Sequence, residues 1–573
     1  MSTITIFNNK YLNRFVGHYA LLLVLAASVF FVSCQKEVLT KSPLDKLSDE
    51  SVWKDAKLIE TYVNNVYRSL PRGFEAPGGR QLQSTVDETH QRGREDYVII
   101  TSGNVTPSTP GIFENYWIGT LTLPTPNYTA PGYYSPITRA NVFFANIEGA
   151  PIEEDIKNRM IGEMKVIRAY SYLRLISFYG GVPLITTPFS LTDDFNVPRN
   201  SYEECMEFIV KELQEAAELL PLEYDAANKG RITKGAAMAI LSRALLYDAS
   251  PYYDRSVSNT DQAKWQKAAD AAKAVIDLGI YELFPDYKTL FLESEAYNSE
   301  IIWARPFNTE VDRETYVELS QYPNGYNGFG QVHPLHNIVD DYETLNGKLP
   351  KDDPTYDPQN PYVNRDPRFY ASILYDGAPF KGREVETFLP GGQDSNEGAL
   401  SPHNATLTGY YERKFLDESI TNPSSTNAGS TPWTYCRLAE IYLNYAEAMY
   451  NLGNEEVCRE YINKIRKRPS VNMPEVTESG PALLARLQNE RRIELAFEEH
   501  RYFDVRRWRI APQVLSEDSE RMTITKDASG KKTYKVETFQ ERNFNDRNYL
   551  MPIPQAEMDK NPLLIQNPGY ENL

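Results

Sequence analysis

The sequence predicts a mostly α fold of helical-hairpin repeats carrying two large, loop-rich excursions that contain short strands. Three observations lead there. Several segments repeat apolar residues at a helical spacing between recognisable caps. These segments come in pairs of similar length joined by short turns. Between the paired blocks, residues 72–139 and 307–432 turn to Pro, Gly, Asn, Asp, Thr and Tyr.

The elements follow in order. "SDESVWKDAKLIETYVNNVYRSLP" starts at a Ser/Asp cap, stops at Pro71 and sets Trp53, Leu58, Tyr62, Val66 and Tyr67 near one face. "PIEEDIKNRMIGEMKVIRAYSYLRLISFYGG" has acids in its first turn and Gly180-Gly181 after its last, as the macrodipole and C-cap rules favour. "SYEECMEFIVKELQEAAELLP" opens with a capping box, Ser201 and Glu204. "TKGAAMAILSRALLYDASP" and "DQAKWQKAADAAKAVIDLG" are Ala-rich, which lets helices approach closely. "YLNYAEAMYNLGN…EEVCREYINKIR" reads like one tetratricopeptide unit, with Leu-Gly at the turn. "NERRIELAFEEHRYFDVRRW" alternates acids with arginines at spacings of three and four, predicting a salt-bridged structural helix with Trp508 in the core. The helical frame thus spans about 48–71, 140–300 and 433–510, with a C-terminal segment 511–573.

The N-terminal stretch "YALLLVLAASVFFVSCQKE" is too short to span a bilayer, since its apolar run is about 14 residues against the roughly 20 required. Lys10 and Arg14 precede it, and no acid appears before Glu37. That is the pattern of a secretory signal peptide over residues 1–33. Cys34 directly after it predicts lipidation of the first mature residue.

The formal net charge of −18 repels phosphate backbones and argues against nucleic acid as a partner. Cys34, Cys205, Cys436 and Cys458 have no metal-ligand spacing, and no disulfide framework is expected. No phosphate loop, nucleophile elbow or dinucleotide fingerprint occurs, so no catalytic residue and no cofactor is assigned. His333 and His336 in "HPLH" lack a third ligand, and the cluster Asp352, Asp353, Asp357 and Asp366 reads as a solvated loop. No metal site is assigned to either. A glycosidase needs two carboxylates across a scissile bond, a condition that 78 acids neither meet nor exclude.

The aromatics of the excursions are more informative. Tyr116, Trp117, Tyr128, Tyr133, Tyr322, Tyr326 and Phe329 sit among Asn, Gly and Pro without an amphipathic period. A flat aromatic covers the C–H face of a sugar ring, while polar side chains take its hydroxyl rim. Asp87, Glu88, Arg92, Arg94 and Gln331 are the polar candidates beside them. Loops of this length on a rigid frame are where binding residues concentrate.

Whole phrases of the chain resemble the SusD/RagB family of outer-membrane nutrient-binding lipoproteins. They are "SPLDKLSDESVWKD…YVNNVYRSL", "VIRAYSYLRLISFYGGVPLI", "NIVDDYETLNGK", "DPQNPYVNRDPRFYASILYDG", "CRLAEIYLNYAEAMYNLG", "ERRIELAFEEHRYFDVRRW" and "YLMPIPQAEMDKNPLLIQNPGY". The resemblance runs from Cys34 almost to the C-terminus in family order, as one SusD-like domain over 34–573. It implies four tetratricopeptide-like pairs under a loop-rich ligand face, and a cell-surface position on the outer membrane through lipid on Cys34. It also implies a SusC-like TonB-dependent transporter as partner, and a glycan ligand bound without catalysis. Peptide uptake by the same fold is the alternative, and a surface glycoside hydrolase a further one. The implied ligand segments hold Asp87, Arg94 and Trp117, and Tyr322, Tyr326 and Phe329. Family members often carry a Trp about seven residues before the Ile of "I-x-R-A-N"; here Ala130 stands there, and Trp117 lies upstream.

Overall fold

The computed structural model describes residues 49–74, 81–109, 117, 132–190, 192–253, 261–308, 317–424, 427, 429–571 and 573. Cys34 and the expected signal peptide lie outside them. The chain divides into two compact units, one comprising residues up to Tyr62 with Gly149–Pro151, the other Val63–Glu148 with Ile152–Leu573. In the first, which holds residues 56–62 of helix α1 (Ala56–Tyr67), Asp55 Oδ1 accepts the Lys57 N–H at 2.8 Å and so starts the helix. Trp53 packs on Tyr62, with ring centroids 5.0 Å apart.

The second unit is built on helices. After the short α2 (Glu95–Thr101) come α3 (Tyr134–Asn146), α4 (Glu154–Tyr179), α5 (Tyr202–Leu219), α6 (Lys234–Ala249) and α7 (Gln262–Ile276). Much later follow α8 (Leu438–Asn451), α9 (Glu455–Arg466), α10 (Gly480–Glu494) and α11 (Arg501–Arg507). From α3 to α9 each packs on the next, as an array of helical hairpins requires. The capping box of α5 forms in full, and Thr233, Asp261 and Asn454 cap α6, α7 and α9. Ala268, Ala269 and Ala448 are buried between α6, α7 and α8, where small side chains let the backbones close on Trp265. None of the helices among the described residues is long and apolar enough to cross a membrane.

Strands tie the excursions to this frame. Of β1 (Thr89–Gln91), β2 (Ile301–Arg305), β3 (Val332–Pro334) and β4 (Trp433–Arg437), β2 pairs antiparallel with β4. The chain therefore leaves the frame at β2 and returns at β4 through one hydrogen-bonded neck. β1 pairs antiparallel with β3, with His90 opposite His333. That pairing joins the first excursion to the second. A hairpin of β5 (Ser519–Lys526) and β6 (Lys532–Gln540) follows α11.

The run expected as a single salt-bridged helix differs in two ways. It is broken between Glu494 and Arg501, where Phe497 and Glu499 have φ of 65° and 64°. Its charges are also buried and paired with distant residues instead of mainly with each other. Arg437 reaches Glu300, Glu494 and Glu498; Arg468 reaches Glu300 and Glu494; Arg368 reaches Glu490 and Glu494. The break follows from the same contacts. Tyr287 Oη and Arg437 Nη2 donate to the Glu494 carbonyl at 2.8 and 2.7 Å, and Lys414 Nζ to that of Ala496 at 2.9 Å. These donors occupy carbonyls that a continuing helix would use itself. Trp508 is buried as expected, its Nε1–H donating to Glu447 at 2.7 Å.

Candidate functional site

The two excursions meet around β1 and β3. Arg92 N–H donates to the Gln331 carbonyl at 2.9 Å and extends the ladder beyond Gln91. His333, buried in β3, ties in a third segment: its Nδ1 accepts the Leu407 N–H at 3.3 Å, which leaves Nε2–H to donate to the Gly330 carbonyl. Burial, with His90 beside it, holds His333 near 3, so the ring is neutral at ordinary pH. Arg92 Nη1 reaches the Ala405 carbonyl at 3.4 Å. Residues 89–94, 322–331 and 400–407 therefore form one surface.

The turn 322–330 is fixed from both sides. Phe329 N–H donates to Leu319 O at 2.7 Å, Gly330 N–H to Tyr322 O at 3.1 Å and Gln331 N–H to Ser320 O at 2.8 Å. A Cβ on Gly328 would lie 2.0 Å from the Tyr322 carbonyl oxygen, so only glycine permits this approach. Asn324 is fully buried: its amide donates to Ser395 O and Leu400 O at 3.2 and 3.0 Å, and its Oδ1 accepts the Tyr411 hydroxyl at 2.8 Å. Tyr326 is half-buried, with its hydroxyl on Phe380 O at 2.8 Å and the Arg383 guanidinium 3.9 Å from its ring centroid. Arg383 is in turn held by both oxygens of Asp394, at 2.6 and 2.8 Å. On this rigid turn Phe329 is the exposed aromatic, at 42%. Gln331, Arg92 and Asn404 are half-buried on the joined segments, Asn404 Nδ2 donating to the Gly328 carbonyl at 3.5 Å.

The other expected residues fall elsewhere. Four of them stand in the interior, which corrects their expected place on a ligand face. Asp87 is buried and gives both oxygens to Arg501, at 3.0 and 2.8 Å, and one to Arg492 at 2.8 Å. Burial alone would raise its pKa, but Arg492 and Arg501 outweigh it and hold the carboxyl well below the usual range. Trp117 is buried edge-on against Tyr179 and beside Tyr134, with centroids 4.9 and 5.4 Å away. The Tyr133 hydroxyl accepts Arg174 Nε–H at 3.0 Å in the core. Tyr322 is fully buried, its hydroxyl donating to the Asp417 carbonyl. Arg94 is half-buried at the N-cap of α2, and Tyr116 and Tyr128 lie outside the described residues. Glu88, named beside Asp87, is buried as well. The Asp cluster is split among local partners: Asp353 takes Thr344, Asn346 and Thr355, Asp357 takes Asn360, and Asp366 takes Arg368. Sequence reading missed Asn404 and Arg383, which enter through contacts across about 60–75 residues and leave no local pattern.

The geometry belongs to a known architecture. The family model described as "SusD family" matches residues 299–570, and one described as "Starch-binding associating with outer membrane" matches residues 44–246. A SusD-like protein of Bacteroides fragilis superposes with a TM-score of 0.76 at 31% identity, covering 92% of this chain and 100% of that one. A SusD-like carbohydrate binding protein of the same species gives 0.77 at 28% identity, covering 90% and 100%. SusD-like protein P2 of Formosa agariphila is 25% identical over 560 residues, 93% of this chain and 96% of its own. With fold, strand-joined excursions and nearly full-length similarity in agreement, this chain belongs to the SusD family.

Proposed function

We propose that this protein captures glycan at the cell surface on the face built by residues 89–94, 322–331 and 400–407, and passes it to a SusC-like TonB-dependent transporter without altering it. The observation that carries this reading is Phe329: an exposed aromatic on a turn locked by backbone and buried-amide hydrogen bonds, with half-buried Arg92, Gln331 and Asn404 on the segments joined to that turn. Such a group presents a flat apolar face with polar donors at its rim, and it loses little freedom on binding. The carbohydrate binding named for a Bacteroides fragilis relative supports the ligand class. A non-catalytic role is supported by the acids under the face. Asp87, Glu88, Asp394 and Glu412 are all buried, whereas a glycosidase presents two carboxylates to its substrate.

Phe329→Ala should weaken binding of the cognate glycan by about tenfold, equivalent to about 1.4 kcal/mol, with thermal stability unchanged. Calorimetric titration against glycans selected on an array measures it. If the variant binds as tightly as wild type, the face is misplaced. If only peptides bind, the peptide-uptake alternative takes over.

The anchor is proposed on Cys34. Cys34→Ala should abolish incorporation of a labelled fatty acid and shift the protein from the membrane to the soluble fraction, with glycan affinity of the purified body unaltered. Retention of the variant in membranes without label would defeat the lipid reading.

A further inference from the structure

A cleft of about 910 Å3, which shares no lining residue with the Phe329 face, lies between the start of α5, the end of α11 and the C-terminal segment. Its volume is within the roughly 300–1,000 Å3 typical of small-ligand sites. Arg509 on its wall breaks a local rule. It follows α11 in a left-handed turn with φ of 63°, closed by Arg509 N–H on Arg506 O and Ile510 N–H on Val505 O, both at 3.0 Å. This is the Schellman geometry, in which glycine is the favoured residue and a side chain is strained. The chain keeps an arginine there. Its guanidinium lies 4.5 Å from the Tyr549 ring centroid and 5.4 Å from that of Tyr252, and these two rings stack at 4.8 Å. Among the described residues it has no carboxylate or carbonyl partner, although the protein carries a net charge of −18. The stacked tyrosines thus hold an unpaired planar fork of donors at the cleft wall, the geometry that grips a carboxylate bidentately.

The other arginines of the cleft are used. Arg199 spans the carbonyls of Tyr179, Gly181 and Ile565, and Arg547 Nη2 donates to Gly103 O. The start of α5 is already capped by Ser201 and Glu204, so anion preference rests on Arg509. Exposed Glu203 and Asp546 also line the cleft. They can accept hydroxyl hydrogens from a sugar rim.

We infer a second ligand site here, for a sugar unit bearing one carboxylate and several hydroxyls, with Arg509 as the carboxylate clamp. The sugar class rests on the glycan reading above; the site itself does not involve Phe329. The test is calorimetric titration of the full chain with an α-1,4-linked galacturonic acid trimer, its methyl ester, neutral maltotriose and a zwitterionic dipeptide. The acid trimer should bind, the ester at least tenfold more weakly, and Arg509→Gly should abolish the response. Glycine suits the left-handed turn, so that variant should melt no lower than wild type, and Phe329→Ala should leave trimer binding intact. Absence of trimer binding, binding indifferent to esterification or to Arg509→Gly, or preference for a zwitterionic dipeptide overturns this site. Glycan binding lost with Phe329→Ala would survive such a failure and keep the main reading separate.

Discussion

Arg437→Met is expected to destabilise the protein by about 3–5 kcal/mol, the range for removing one partner of a buried ion pair. Arg437 ends β4, where the second excursion rejoins the helical frame, and the next residue begins α8. Its side chain is 1% exposed. Nη1 reaches Glu300 and Glu494 at 2.7 Å each; Nε and Nη2 reach Glu498 at 2.9 and 2.7 Å. Methionine fills much of the same volume but leaves three carboxylates facing each other in a dry interior. Glu494 keeps Arg468 and Arg368, and Glu498 keeps Lys414, so the loss falls hardest on Glu498 and on the neck between β2 and β4. Urea unfolding of the two proteins at pH 7 gives the comparison. A midpoint shift worth less than about 1 kcal/mol at equal slope would show that the network relaxes around the gap. The same network sets the acid limit of the fold. Burial would raise Glu494 and Glu498, but Arg468, Arg437 and Arg368 on the first, and Arg437 and Lys414 on the second, hold them below the usual range. Acids depressed in the folded state stabilise it above their unfolded pKa near 4.3, and that contribution disappears as pH falls.

This network also shows what a sequence conveys and what it hides. The capping box of Ser201 and Glu204 was legible because both partners lie within one turn, and so was the frame of periodic helices. The spacing of Glu490, Glu494 and Glu498 suggested pairs with the arginines of their own helix. The actual partners, Arg368, Arg437 and Arg468, come from positions that share no local pattern with them. The binding face is hidden for the same reason. β1 and β3 are three residues each, too short for a period of two to register, and they lie over 240 residues apart in the chain. Tyr322, Tyr326 and Phe329 look equivalent in "QYPNGYNGFGQ". Only the hydrogen bonds of Asn324, Gly328 and Asn404 decide that the first points inward and the last outward.

Glu412→Gln is expected to stabilise the protein at alkaline pH, by up to about 4 kcal/mol. Glu412 and Glu88 are buried between the face and the frame. Among the described residues, Glu412 accepts only the Gln83 amide, at 3.0 Å, and Glu88 Oε1 accepts the Phe497 N–H at 3.3 Å while its Oε2 has no partner. Burial pushes each carboxyl up to about 8, each against the opposing pull of a cation, Lys414 or Arg492. An acid raised in the folded state contributes stability that is complete below its unfolded pKa and is lost as pH rises through the folded one. The window here is therefore about 4.5 to 8. Lys414 runs the other way: burial lowers it to about 8, so its cost fades only between about 8 and 10.5. Glutamine keeps the hydrogen bond from Gln83 and removes the proton-dependent charge. The variant should match wild type at pH 5, gain steadily to pH 8 and hold that gain at pH 9. Urea midpoints at those three values suffice. An equal shift at pH 5 and pH 9, or none at either, would mean that Glu412 is ionised in the fold at all three, and that Lys414 and not a proton balances it.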